Sequence, residues 1–302
     1  MRRRSRVAKK PLAPSKARGA MGRTAHRISS VRLHWAGPVA NTGGNTNYNS
    51  MQLSVEQRMR YGLNVLFNYT WSRALNDMPW NQAATSIGGG NSFVYPITMA
   101  NFKALDYGPA DFNHPNVTAL SYVYTIPKFL NSAPGPVRYV LNDWGTSGIF
   151  QYRSGDPLTV WSSQSNNSGS GQNRDRAVWS GATPYGGTPC TTSVNCRNWL
   201  NPASFSVNPA GTFGNVVKGS FAGPHYVDWD GSLTRKFPIT EGRYLSFEAD
   251  YFNLLNHTNL GDPGTTLGSS FGKITSTSPQ NLAGTAPQND PRIAQLSLKL
   301  VF

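Results

Sequence analysis

Apolar and polar residues alternate with period two in successive segments from about Tyr48 to the C-terminus. Each segment runs for about ten residues, the length that crosses a bilayer as a tilted strand. The last is the cleanest, with Ala294, Leu296, Leu298, Leu300 and Phe302 on one face and Gln295, Ser297 and Lys299 on the other. Around Arg243–Asn256, Leu245, Phe247, Ala249 and Tyr251 lie opposite Ser246, Glu248 and Asp250. Val227, Trp229, Gly231, Leu233 and Phe237 alternate with Asp228, Asp230, Ser232, Thr234 and Lys236. Leu63, Val65, Phe67, Tyr69 and Trp71 alternate with Asn64, Asn68, Thr70 and Ser72, and Met51, Leu53 and Val55 with Gln52, Ser54 and Glu56. Two weaker segments, Val117–Ile126 and Trp144–Val160, bring the count to seven strands, or eight if the second breaks at Ser154–Pro157.

A soluble β-sandwich that binds carbohydrate through its aromatics would show the same alternation. Connection lengths separate the two architectures. The turns at Met59–Gly62 and Pro238–Gly242 are tight, and Pro127–Asn142 is of medium length. About forty residues separate Ser72 from Asn116, about sixty Val160 from His225, and about thirty Asn256 from Pro291, lengths uncommon in compact soluble domains. With Phe302 at the periplasmic side, every long connection falls outside the cell and every short one inside, as in outer-membrane barrels. The expected fold is therefore all-β: an antiparallel transmembrane β-barrel segment of seven or eight strands with long extracellular loops. Seven consecutive strands leave two unpaired edges, which hydrocarbon does not tolerate, so the barrel is expected to be incomplete.

Composition agrees, at 14% charged and 12% aromatic residues with 30 Gly and 21 Pro. The net charge of +14 is local. Residues 1–32 carry eleven Lys or Arg and no acid, which leaves seventeen basic against fourteen acidic residues elsewhere. Residues 1–46 are read as a basic disordered tail and 47–302 as the barrel part. No aromatic interleaves with the basic residues before Trp35, which argues against nucleic acid as a partner. No apolar run is long enough for a transmembrane helix, and no apolar segment of a signal peptide follows Met1. The abrupt change of composition near residue 40 suggests a spurious start upstream of a truncated gene, an expectation that the N-terminus of the purified protein tests.

Several stretches resemble the barrel of TonB-dependent transporters of the Oar-like group. They are YNSMQLSVEQRMRYGLNVLFNYTWSRALND (Tyr48–Asp77), DWGTSGIFQYRSGDPLTV (Asp143–Val160), NPASF (Asn201–Phe205), GTFGN (Gly211–Asn215), FEADYFNLLNHTNLGDP (Phe247–Pro263) and IAQLSLKLVF (Ile293–Phe302). The resemblance covers roughly residues 47–302. It implies a large barrel in the cell outer membrane of a Gram-negative-type envelope, with a lumen filled by an N-terminal plug. It also implies a signal peptide and a TonB-contacting segment, and none of these parts is matched here. The function it implies is uptake of an external substrate, not identified by the sequence, as part of a complete barrel. Partners would be outer-membrane lipid, the barrel assembly machinery, and the remaining strands and plug.

Within that frame, Leu296, Leu298, Leu300 and Phe302 look like the terminal signal of outer-membrane assembly. Tyr69, Trp71, Tyr122, Tyr124, Trp144, Trp229 and Tyr251 are candidates for aromatic girdles at the membrane interfaces. Cys190 and Cys196, in the longest outer loop, suit a small disulfide-closed loop in an oxidising compartment. No metal site is expected from them, since no His lies near either in sequence. Asp228, Asp230, Glu248 and Asp250 invite a catalytic reading, but their period-two spacing makes them lumen-lining polar groups. His114 and His257 sit beyond strand ends beside Asn and read as loop residues. No nucleophile elbow, phosphate loop or zinc-binding helix is present, so neither enzymatic activity nor a cofactor is expected.

Overall fold

A computed structural model of the chain describes residues 30–36, 40–41, 44–77, 106–128, 132, 134–164, 166–169, 174–189, 197–277 and 291–302. Eight long strands follow one another in a single antiparallel sheet, each paired to the next in sequence. They are β1 (Ser30–Ala36), β2 (Gly44–Arg60), β3 (Leu63–Asn76), β4 (Asn116–Thr125), β5 (Trp144–Arg153), β6 (Tyr226–Thr240), β7 (Arg243–Phe252) and β8 (Ile293–Val301). Two short strands are attached, Ala40–Asn41 on β2 and Gly108–Pro109 on β3. The long strands do not divide into two facing sheets, which removes the sandwich alternative.

Registers carry the alternation across the sheet. Val55, Phe67, Leu120, Phe150 and Trp229 pair in one row, while Glu56, Leu66, Ser121, Ile149 and Asp230 pair in the next. A one-residue slip would put every apolar side chain on the wrong face. Tight turns help to hold the register. Tyr61 (φ 50°) and Gly62 (φ 79°) both adopt the left-handed conformation, the requirement of a type I′ hairpin. A Cβ on Gly62 would also come within 2.5 Å of the Thr125 carbonyl oxygen.

Three points of the sequence reading change. The first strand, β1, falls inside the stretch assigned to the basic tail. Val31, Leu33 and Trp35 alternate there with Arg32 and His34, and the whole of β1 pairs with β2 from Ser30↔Glu56 to Ala36↔Ser50. The density of arginine hid a short period-two run. Second, the segment Trp144–Val160 does break: β5 stops at Arg153, and Pro157–Leu158 pairs instead with Phe221–Ala222. Third, the medium connection Pro127–Asn142 holds a short helix, α1 (Gly135–Leu141), entered through Pro134 and Pro136.

The tight turns and α1 lie at one end of the sheet, the long connections at the other. The Thr125 amide donates to the Gly62 carbonyl at 2.9 Å and the Ile126 amide to the Trp144 carbonyl at 2.8 Å, which ties the short end together.

Candidate functional site

One face of the sheet is apolar and aromatic, the other polar. The polar face is concave, because a single trough of about 550 Å³ is lined from β2 to β7. Glu56, Asp230 and Asp250 supply carboxylates to it. Leu66, Val123 and Ile149 form an apolar stripe between them, each at least 40% exposed. The convex face carries the side chains suited to lipid.

The buried core of the molecule lies elsewhere. Leu158, Val160, Ala177, Leu200, Phe205, Val216, Phe221 and Phe271 form one cluster, with Trp179, Trp199 and Leu267 against it. All of these residues come from the connections after β5 and after β7. Phe205 packs edge-on against Phe221 at 5.2 Å and against Phe271 at 5.4 Å between ring centroids. Short ladders frame the cluster: Val178–Trp179 with Phe205–Ser206, and Arg197–Leu200 between Tyr185–Pro189 and Lys273–Ile274. Two connections that read as polar loops thus build one small module with its own core.

Buried polar contacts seat the module on the long-loop end of the sheet. Arg176 pairs with Asp106 at 2.6 Å, both nearly inaccessible. Lys218, 6% exposed, donates to the side chain and carbonyl of Asn76 at the tip of β3. Burial lowers the Lys218 pKa against the pull of Asp111, Asp106 and Asp77, with Arg176 adding to the lowering. Ser50, Ser72, Ala74 and Asn76, all on the concave side, are buried at this end of the sheet.

A second cluster joins the two connections. Gly155 crosses Gly223 so closely that a Cβ on Gly155 would lie 2.0 Å from the Gly223 carbonyl oxygen. Beside the crossing, His114 Nδ1 lies 3.1 Å from the Ser154 carbonyl oxygen and 3.4 Å from the Asp156 carboxylate. Asp262 is pushed up to about 7 by burial and then by Asp156, with which it shares a hydrogen bond, while Arg153 opposes the shift. Burial, then Arg153, lowers the His114 pKa against Asp156 and the Ser154 carbonyl. His225 stacks on His257 at 5.6 Å, and burial followed by His225 lowers the His257 pKa.

The candidate girdle residues Tyr69, Trp71, Tyr122, Tyr124, Trp144, Trp229 and Tyr251 all fall on the convex face by strand parity. Tyr69 also donates to Asn116 Oδ1 at 2.7 Å. Trp71 lies toward the loop end and Trp144 at the turn end, while Tyr122 lies inside the strand against Gly148, away from either rim. Leu296, Leu298, Leu300 and Phe302 are 55–92% exposed on the terminal strand. Asp228, Asp230, Glu248 and Asp250 share the concave face, and Asp230 accepts the Asn253 amide at 3.0 Å. Cys190 and Cys196 lie outside the described residues. Among the described residues no group of three or more His, Cys, Asp or Glu is placed to hold a metal ion.

The sequence reading missed the structural use of the FNLLNHTN stretch. Asn253 (φ 49°) turns the chain back, and its side chain both accepts from the His257 amide and donates to its carbonyl. Asn259 accepts the Val227 amide at 2.9 Å. The spacing of three Asn within seven residues directly after a strand was the available signal, since Asn tolerates left-handed backbone and bonds to local main chain.

A family model described as "Outer membrane beta barrel domain" matches residues 25–295. No curated protein and no solved structure matches the chain.

Proposed function

The chain belongs to the outer membrane β-barrel domain family and is a protein of the cell outer membrane, and from that premise we propose that it forms the C-terminal wall of a TonB-dependent receptor-type transporter. In this reading it contributes to uptake of an external substrate once other strands and a plug complete the barrel, and it carries no catalysis of its own. The observation that carries it is the trough on the concave face. Carboxylates and an apolar stripe share a surface open to whatever fills the lumen, and a folded module stands over the same end of the sheet that the external substrate meets first. The resemblance of Tyr48–Asp77 and Phe247–Pro263 to Oar-like barrels supports the same assignment. The assembly machinery is the proposed reader of the exposed C-terminal residues Leu296, Leu298, Leu300 and Phe302.

Completion by other strands follows from an energetic constraint. Among the described residues β1 and β8 each pair with one long strand only, and unpaired backbone groups in hydrocarbon cost several kcal/mol each. The strand count favours a second reading. With eight alternating strands, β1 and β8 run in opposite directions and are able to pair with each other, closing a small barrel.

Heat-modifiable electrophoresis separates the two. The full chain, targeted to the outer membrane by itself, is expected to give no heat-modifiable, protease-resistant monomer, and to give one when upstream barrel strands are co-expressed. A resistant monomer formed by the chain alone would overturn the completed-barrel reading in favour of self-closure.

A further inference from the structure

Helix α1 lies on the lipid-facing side of the sheet, at its periplasmic end. Tyr139 and Val140 contact convex-face residues and the adjoining turn. The Tyr139 ring is 5.9 Å from that of Phe237, and its hydroxyl donates to the Pro238 carbonyl at 2.8 Å. Trp144 Nε1 donates to the Val140 carbonyl at 3.1 Å. Apolar side chains of α1 remain open: Val137, Val140 and Leu141 are each 43–50% exposed.

Beneath α1 sits an arginine that the lipid-facing surface does not explain. Arg235 is 2% exposed. Its guanidinium stands 4.7 Å over the Phe237 ring and 5.8 Å from that of Trp144, and donates to the Tyr139 carbonyl. Among the described residues its Nε and Nη1 have no hydrogen-bond partner, and no carboxylate lies within ion-pair distance. The neighbouring ion pair Lys128–Asp143, at 3.3 Å, is neutral as a unit. A buried cation left without a counter-charge is costly, and its field is screened little where water is excluded.

We propose that α1 and the wall beneath it bind the headgroup of an anionic phospholipid in the periplasmic leaflet. The apolar side of α1 continues the convex face into the acyl region, through Val137, Val140 and Leu141. The phosphate of a headgroup seated against α1 supplies, through the poorly screening wall rather than by direct contact, the negative charge that Arg235 lacks among the described residues. Lipid is the fitting occupant because the site is continuous with the membrane-facing surface. It rests on the outer-membrane location alone and is independent of whether the barrel transports anything.

Native mass spectrometry tests this on the full chain assembled in outer membranes with co-expressed upstream barrel strands, extracted in mild detergent and offered phosphatidylglycerol and phosphatidylcholine in equal amounts. Phosphatidylglycerol is expected to be retained about fivefold over phosphatidylcholine, the ratio given by about 1 kcal/mol per basic residue at an anionic surface. Arg235→Gln should bring the two lipids to near equality, and Arg235→Lys should keep part of the preference. Should Arg235→Gln fail to assemble, Val140→Asn with Leu141→Asn removes the acyl-facing side while leaving Arg235 in place, and should lower retention of both lipids. Equal retention by the unaltered protein overturns the proposal. So does full competition by inorganic phosphate, which would make the site a plain anion pocket.

Discussion

The eight-stranded sheet and the loop module solve the burial problem in opposite ways. The sheet has almost no core of its own: its convex side chains are left for lipid and its concave ones for the lumen. Among convex residues at strand interiors, Ala249 is the one described as buried without a covering element, and Arg235 is buried under α1. The module, built from residues on either side of β6 and β7, holds the aromatic cluster around Phe205 and the buried pair Arg176–Asp106. One region thus depends on the membrane as solvent for its apolar face. The other buries an apolar core of its own, and its stability should follow the packing rules of water-exposed domains.

The largest expected effects fall in the module. Phe205→Ala removes a ring that touches both Phe221 and Phe271 and should cost about 3–5 kcal/mol. Asp106→Leu leaves Arg176 buried beside Lys218 without its carboxylate, for a similar loss of about 3–5 kcal/mol. Limited proteolysis should then cut residues 157–225 while strand circular dichroism and assembly persist. Loss of both together would merge the two regions into one folding unit and break the comparison.

In the sheet the pair Leu120 and Ala119 sharpens it. These neighbours on β4 point to opposite faces. Leu120→Arg places a charge among Phe67 and Phe150 on the lipid side and should cost about 2–4 kcal/mol. Ala119→Arg, on the concave side, should be nearly neutral. Urea unfolding from lipid vesicles reads both, and equal costs would contradict the assignment of faces.

The smallest effect is a pH dependence confined to the module. A carboxyl group raised in the folded state, as Asp262 is to about 7, contributes stability that is present at low pH and lost as pH rises from its ordinary value of 3.8 through about 7. His114, lowered by burial and Arg153, contributes in the opposite sense, losing stability as pH falls below the ordinary imidazole value. Arg153, Asp156, Ser154, His225 and His257 are the other polar groups around this crossing. Fluorescence of Trp161, Trp179 and Trp199 should therefore report loosening as pH approaches and passes 7, and Asp262→Asn should flatten that limb. An unchanged profile in Asp262→Asn would remove the carboxyl pair as its source.

The sheet was legible because alternation is a local property: Leu296, Leu298 and Leu300 declare their face without reference to any other strand. Seven of the eight long strands follow from that reading. The eighth, β1, alternates over seven residues only, and Arg32 and His34 make it look continuous with the arginine-rich stretch before it. Helix α1 was invisible because seven residues with two prolines near the start carry too little periodicity. The acidic residues Asp228, Asp230, Glu248 and Asp250 could be placed on one face from their spacing, but the trough they border, with Leu66, Val123 and Ile149, required the sheet's curvature.

The sequence by itself determined the strand faces, the sorting of short and long connections to opposite ends, and the class of membrane protein, since each rests on period, length and turn chemistry along the chain. Tertiary structure alone decided that Leu158, Phe205, Phe221 and Phe271 meet, that Gly155 crosses Gly223, and that Arg235 is buried under α1. Those contacts join residues tens to more than a hundred positions apart in irregular segments. There no repeat constrains direction, and three-dimensional packing is what selects partners.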